Sequence, residues 1–237
     1  MGAVYTLTLR QLSGKWRLII MTVLAAMPVV VALLTLAERG APTVAEFEII
    51  VFSTMLYGSI APLVVLAIAA AAFGNEVEDR TLANLTISPV PRWQIALPKL
   101  LATITIAAPF IALSAGLTAH IAFLGDERAT IAIIVSALVG VAMYASAFVW
   151  LGLVSTQAIG VGLLYIVLWE GFFSGFVSGV RLLSIRHYAI AVMHAIDGRR
   201  FADAEHLGPA VAITISTLVI GGFLFATVRR LRKMDVP

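Results

Sequence analysis

An all-α protein embedded in a membrane is the architecture this chain predicts, and three features carry that expectation. Hydrophobic residues make up 61% of the 237 positions and charged residues only 12%. The mean hydropathy is +1.02, far above that of a soluble domain. Apolar runs of about 20 residues, the length that crosses a hydrocarbon core as helix, recur along the chain, whereas the short alternating strands of a barrel do not.

The first run, residues 18–37, follows Arg10, Lys15 and Arg17 as a secretion signal would, but it is long enough to span and has no convincing cleavage site. It reads as the first membrane helix. Ahead of it, Tyr5, Leu9, Leu12 and Trp16 fall on one side at helical spacing, with basic residues available to lipid phosphates, the pattern of an N-terminal interfacial helix. Further runs occupy residues 49–73, 100–124 and 130–154. The polar turn Gly125, Asp126, Glu127, Arg128 joins the last two so tightly that they must be antiparallel neighbours. Ser155, Thr156 and Gln157 turn the chain into a fifth run, residues 158–176. A sixth, residues 209–228, opens on Pro209, where a missing N–H costs nothing. With no internal repeat and no polar stretch long enough to fold alone, residues 1–237 read as one six-helix membrane domain.

Six crossings leave both termini on one side. Arg10, Lys15 and Arg17 before the first helix, and Arg229, Arg230, Arg232 and Lys233 after the last, make that side the cytoplasm. The connector after the second run shares it, and with it all three lysines, Lys15, Lys99 and Lys233. The opposite side holds Arg181, Arg186, Arg199 and Arg200, so the bias is partial. The absence of cysteine removes disulfides, thiolate nucleophiles, iron–sulfur clusters and cysteine-rich zinc sites. A net charge of +3 with no basic block gives nucleic acid no electrostatic footprint. His120, His187, His194 and His206 lack ligand spacing, and Asp197 to Glu205 supply no compact carboxylate cage, so no metal site is expected.

The connector concentrates charge. Asn75 is a good N-cap with Glu78 at the third helical position, Glu76 stands four residues before Arg80, and Pro89 stops a helix after Ser88. A capped surface helix over residues 75–88 follows, with Leu82 and Leu85 sharing a face that a solvated loop would not require.

The stretch EVEDRTLANLTISPVPRWQIALPKLLA resembles the signature of permease subunits of type-2 ATP-binding-cassette transporters: an acidic stretch, a Thr-Leu pair, Pro-Val, a basic residue and a Lys opening the third span. Here these are Glu76, Glu78, Asp79, Thr81, Leu82, Pro89, Val90, Arg92 and Lys99. A second stretch, YIVLWEGFFSGFVSGVRLLSIRHYA from Tyr165 to Ala189, looks like that family's fifth helix and the outer-leaflet segment after it. Ala83 departs from relatives that carry Glu after Thr-Leu.

The resemblance implies that the connector is a cytoplasmic coupling helix that docks into a groove of an ATP-binding subunit. An exposed helix with one apolar stripe and charged flanks suits that role. Leu82 and Leu85 would be buried anchors, and Glu76, Glu78, Asp79, Arg80, Thr81, Pro89, Val90 and Arg92 would complete the interface. It also implies an outer-leaflet re-entrant helical segment after the fifth span, carrying Arg181, Ser184, Arg186 and Tyr188. A second permease chain and two ATP-binding subunits would complete the transporter, in the inner membrane of a prokaryote. The chain has no GxxxxGK[ST] loop to cradle phosphates, so ATP and magnesium belong to the partner and this chain is not itself an enzyme.

Glu170 lies inside or at the outer end of the fifth run, where an ionised side chain costs on the order of 3 kcal/mol and calls for a partner. Arg181 and a hydroxyl such as Tyr57 are candidates, and the acid would either hold an outer gate or fix a turn. Gly171, Gly175 and Gly179, four residues apart, allow close helix approach and equally a helix break. Pro62, Pro98 and Pro109 are expected at kinks or span ends. Scattered Ser, Thr and Tyr among the spans fit export of a hydrophobic or amphipathic cargo. An intramembrane serine protease is the rival of another class, but residues 209–228 offer Ser174 no histidine base. A non-transporting membrane anchor or assembly factor for an ATPase is the remaining alternative.

Overall fold

Helix accounts for all the regular structure in the described residues, which in this computed structural model are 2–37, 47–78, 90–173, 183–198 and 208–233. In chain order the helices are α1 (Gly2–Leu12), α2 (Lys15–Ala37), α3 (Glu48–Val77), α4 (Trp93–Ala122), α5 (Glu127–Val154), α6 (Ala158–Phe172), α7 (Ile185–Ile196) and α8 (Pro209–Lys233). Among the described residues, α2, α3, α4, α5 and α8 are long and apolar enough to cross a membrane. α6 reaches only about 22 Å at 1.5 Å per residue, short of a hydrocarbon core of about 30 Å. The last residues of the expected fifth span, 174–176, lie outside the described residues.

α5 is the centre of the bundle, packed against α3, α4, α6, α7 and α8. Small residues make this approach close: Ala129, Ala132, Ala137, Gly140 and Ala145 lie buried along it. Asp126 starts α5 as its N-cap, accepting from the backbone N–H of Arg128 at 3.1 Å and of Ala129 at 3.3 Å. The expected tight turn therefore spans Phe123 to Asp126, and Glu127 and Arg128 belong to the first turn of α5. The exposed side of α2 carries Ile19, Val23, Met27 and Val30, a surface suited to lipid.

Several boundaries differ from those read in the sequence. α4 begins at Trp93 instead of Leu100: Lys99, the charge that bounds the apolar run, is paired inside the bundle. Pro98 and Pro109 both lie inside α4 and end nothing, while Pro62 sits at the start of a helical segment, Ala61–Ala69. Asn75 is not an N-cap: helix continues through it to Glu78, from Ala71. The N-terminal stripe is also divided. Helix α1 ends before Ser13 and Gly14, so Leu12 is buried on α1 while Trp16, at 77% exposure, projects from α2. Tyr5 bonds Thr105 of α4 across 2.9 Å, beside a groove of about 390 Å³ that Leu97, Pro98 and Leu101 help to line.

Two segments are wound more loosely than an α-helix. Glu48–Ile60 of α3 and Tyr165–Phe173, which takes in the end of α6, are π-helical. In α3 the hydroxyls of Thr54 and Ser59 donate to carbonyls five residues back, at 2.9 and 3.2 Å, as the wider turn requires. The two segments pack against each other.

Candidate functional site

Polar groups are so few in this bundle that their clusters mark where helices are held. The first lies at the base of the connector. Lys99 of α4, buried, places Nζ 2.6 Å from both carboxylate oxygens of Glu76 in the last turns of α3. The same ammonium donates to the Ala72 carbonyl and stands 4.6 Å from the centre of the Phe73 ring. Its donors are thus spent on α3, and the two helices that enter and leave the connector are clasped at their ends. Removing one partner alone would leave the other charge buried without compensation.

Glu76 was expected to face a partner four residues before Arg80; its carboxylate turns inward to Lys99 instead. Val90 and Arg92 are half-buried just before α4, and Trp93 is exposed. Asp79, Arg80, Thr81, Leu82, Leu85 and Pro89 lie outside the described residues, as does the side chain of Glu78.

The second cluster is built around Glu170, fully buried near the end of α6 within the second π-helical segment, which packs against the first. Its Oε1 accepts from the hydroxyls of Tyr144 on α5 at 3.0 Å and Tyr165 at 2.9 Å, and from the backbone N–H groups of Ile185 at 3.0 Å and Arg186 at 3.5 Å. Its Oε2 accepts from the Ser184 hydroxyl at 2.5 Å. Ser184 Oγ in turn accepts from the His187 N–H at 3.4 Å, which makes Ser184 the N-cap of α7. A buried helix N-terminus exposes N–H groups that lipid cannot satisfy, and the carboxylate supplies acceptors and a favourable charge for the helix dipole.

Of the partners foreseen for Glu170, the hydroxyl class is right but the residue is not. Tyr57 bonds Ser136 at 2.5 Å and contributes to the cluster only through its carbonyl, which accepts from Tyr144 at 3.3 Å. Gly58 leaves room for Arg186: a Cβ there would lie 3.0 Å from Arg186 Nη1. Tyr188 is buried on α7, and Gly171 is exposed at the end of α6. Gly175, Gly179 and Arg181 lie outside the described residues.

A third set of contacts was not read from the sequence. At the far end of α7, Arg128 of α5 donates from Nε and Nη2 to the Ile196 carbonyl at 3.3 and 3.1 Å, with Asp197 at 3.8 Å. His194 Nε2 stands 2.8 Å from Glu48 Oε1 of α3. The signal available in sequence was a polar residue at each helix end, which does not say which ends meet. α7 thus spans about 17 Å, at 1.5 Å per residue, between these contacts and the Glu170 cluster.

Both main clusters join helix ends. The sequence model of ABC-2 family transporter proteins matches residues 9–193, a span that contains the connector, the Lys99–Glu76 clasp and the Glu170 cluster. No curated protein matches the chain. With that match across most of its length and its apolar helices, the chain belongs to the ABC-2 transporter family, as a multi-pass membrane permease.

Proposed function

We propose that this permease pairs with a second permease chain and is driven by two separate ATP-binding subunits, exporting a hydrophobic or amphipathic cargo along the path between the two bundles. Six spans fit this role best: the five long helices and, fifth in order, residues 158–176, with an outer-leaflet re-entrant segment after them. α1 lies in the cytoplasmic interface, both termini are cytoplasmic, and the membrane is the inner membrane of a prokaryote. ATP and magnesium are bound by the partner, into whose groove the connector helix inserts Leu82 and Leu85, with Glu78, Asp79, Arg80, Thr81, Pro89, Val90 and Arg92 around them. Glu76 contributes from behind, by tying the connector's base to Lys99. Glu170, Gly171, Gly175, Gly179, Arg181, Ser184 and Tyr188 form the outer gate or its re-entrant support.

The family match over residues 9–193 carries this proposal, because it includes the connector together with the helices on both sides of it. Force applied to the connector reaches α3 and α4 together, since the clasp joins their ends. The test is whether a neighbouring reading frame encodes a soluble chain with phosphate-loop motifs, followed by co-expression of the two. Leu82→Asp with Leu85→Asp should abolish co-purification and the ATPase activity that depends on the permease. Undiminished complex and activity would refute the docking role, and a partner without phosphate-loop motifs would favour an anchor or assembly factor.

A further inference from the structure

We propose that Glu170 is a positioning residue: it caps α7 from a neighbouring helix and thereby fixes α7 to α5 as one rigid body that does not hinge during transport.

α7 is held along its whole length. At its N-terminus the N–H groups of Ile185 and Arg186 are taken by Glu170 Oε1 and that of His187 by Ser184 Oγ, which itself donates to Glu170 Oε2. The same Oε1 receives the Tyr144 hydroxyl of α5 at 3.0 Å, so one carboxylate joins α5, α6 and α7. At the C-terminus Arg128 of α5 covers the Ile196 carbonyl at 3.1 Å, and His194 meets Glu48 of α3 at 2.8 Å. Between these ends α7 lies directly on α5: a Cβ built on Gly140 would stand 3.5 Å from Ala189 Cβ. A helix that swung as a gate would break all these contacts and expose backbone N–H groups inside the bundle, where no water replaces their acceptor.

The residue's chemistry separates positioning from other roles. Glutamine retains Oε1 for the two tyrosines and the backbone N–H groups, and the Ser184 hydroxyl can rotate to accept from the new amide. Leucine retains none of these.

The Gly140–Ala189 contact supplies the assay, since the chain contains no cysteine and the separation falls within the Cβ–Cβ range of about 3.5–4.5 Å that a disulfide bridges. The full chain carrying Gly140→Cys and Ala189→Cys is oxidised mildly in its native membrane, and the linked peptides are quantified by mass spectrometry. The pair should cross-link equally well in the parent and with Glu170→Gln, and at least about tenfold more slowly with Glu170→Leu, because α7 then no longer rests at bridging distance. In complex with the ATP-binding subunit, the cross-linked protein should keep its turnover, and cross-linking should restore the turnover that Glu170→Leu loses. Arrest of turnover by the cross-link would show that α7 must move, and would overturn the proposal. So would a Glu170→Leu variant that cross-links as fast as the parent, since α7 would then be held in place without the carboxylate. The turnover arm rests on the permease function proposed above; the cross-linking arm does not, so failure to find an ATPase partner leaves it intact.

Discussion

Replacing Lys99 by methionine tests the clasp at the base of the connector. Methionine preserves an unbranched, apolar stem but removes the ammonium that serves both Glu76 oxygens at 2.6 Å and the Ala72 carbonyl, and that stands 4.6 Å from the Phe73 ring. Breaking a buried pair by deleting one partner costs about 3–5 kcal/mol. Glu76 keeps 17% side-chain exposure, so water relieves part of the penalty and a cost of about 2–3 kcal/mol is expected. At roughly 2–4 °C per kcal/mol for a chain of this size, Tm should fall by about 5–10 °C. Adding Glu76→Leu removes the stranded carboxylate and should recover most of the loss, giving a coupling of at least about 2 kcal/mol in the double-mutant cycle, since Glu76→Leu alone strands Lys99 in turn. The measurement is thermal unfolding of the purified full chain at fixed detergent and scan rate. A Lys99→Met protein within about 1 kcal/mol of the parent, or a double mutant showing simple additivity, would refute the clasp.

Three further substitutions probe the packing around α5. Gly152→Ala places a Cβ against the backbone carbonyl of Ala70, which cannot move aside, whereas Gly162→Ala meets only the flexible end of Leu66; the first should cost about 1–3 kcal/mol and the second less, ranked by the same unfolding assay. Arg128→Ala uncovers the Ile196 carbonyl and, because the arginine is 60% exposed, should cost only about 0.5–1.5 kcal/mol. Hydrogen exchange should then quicken in the last turn of α7 while the middle of α5 stays protected.

The membrane class and the approximate placing of the long helices were legible because hydropathy summed over about 20 residues is insensitive to single exceptions. The errors arose where one residue broke the pattern and tertiary structure repaired it. Lys99 bounds an apolar run, yet its charge is neutralised by a carboxylate 23 residues away, a contact no local window contains. Asn75 has the chemistry of a cap, but α3 simply continues through it. Glu170 was legible as a buried acid in need of hydroxyl partners. That those partners would be Tyr144, Tyr165 and Ser184 instead of Tyr57 depended on the loosened turns of α3 and α6, for which the sequence carries no recognisable signal. The Arg128–Ile196 contact was illegible because its acceptor is a backbone carbonyl, which every residue has.

The most direct test of the proposed mechanism is the side of the membrane on which the connector lies. A single cysteine introduced by Ala83→Cys, in a chain with none of its own, can be challenged with a membrane-impermeant thiol reagent in intact cells, with Ala204→Cys as the opposing control. The proposed orientation predicts that the position 83 variant reacts only after the membrane is opened and is then protected by the ATP-binding subunit, while the position 204 variant reacts in intact cells. Labelling at position 83 from outside, or no protection by the partner, would contradict it.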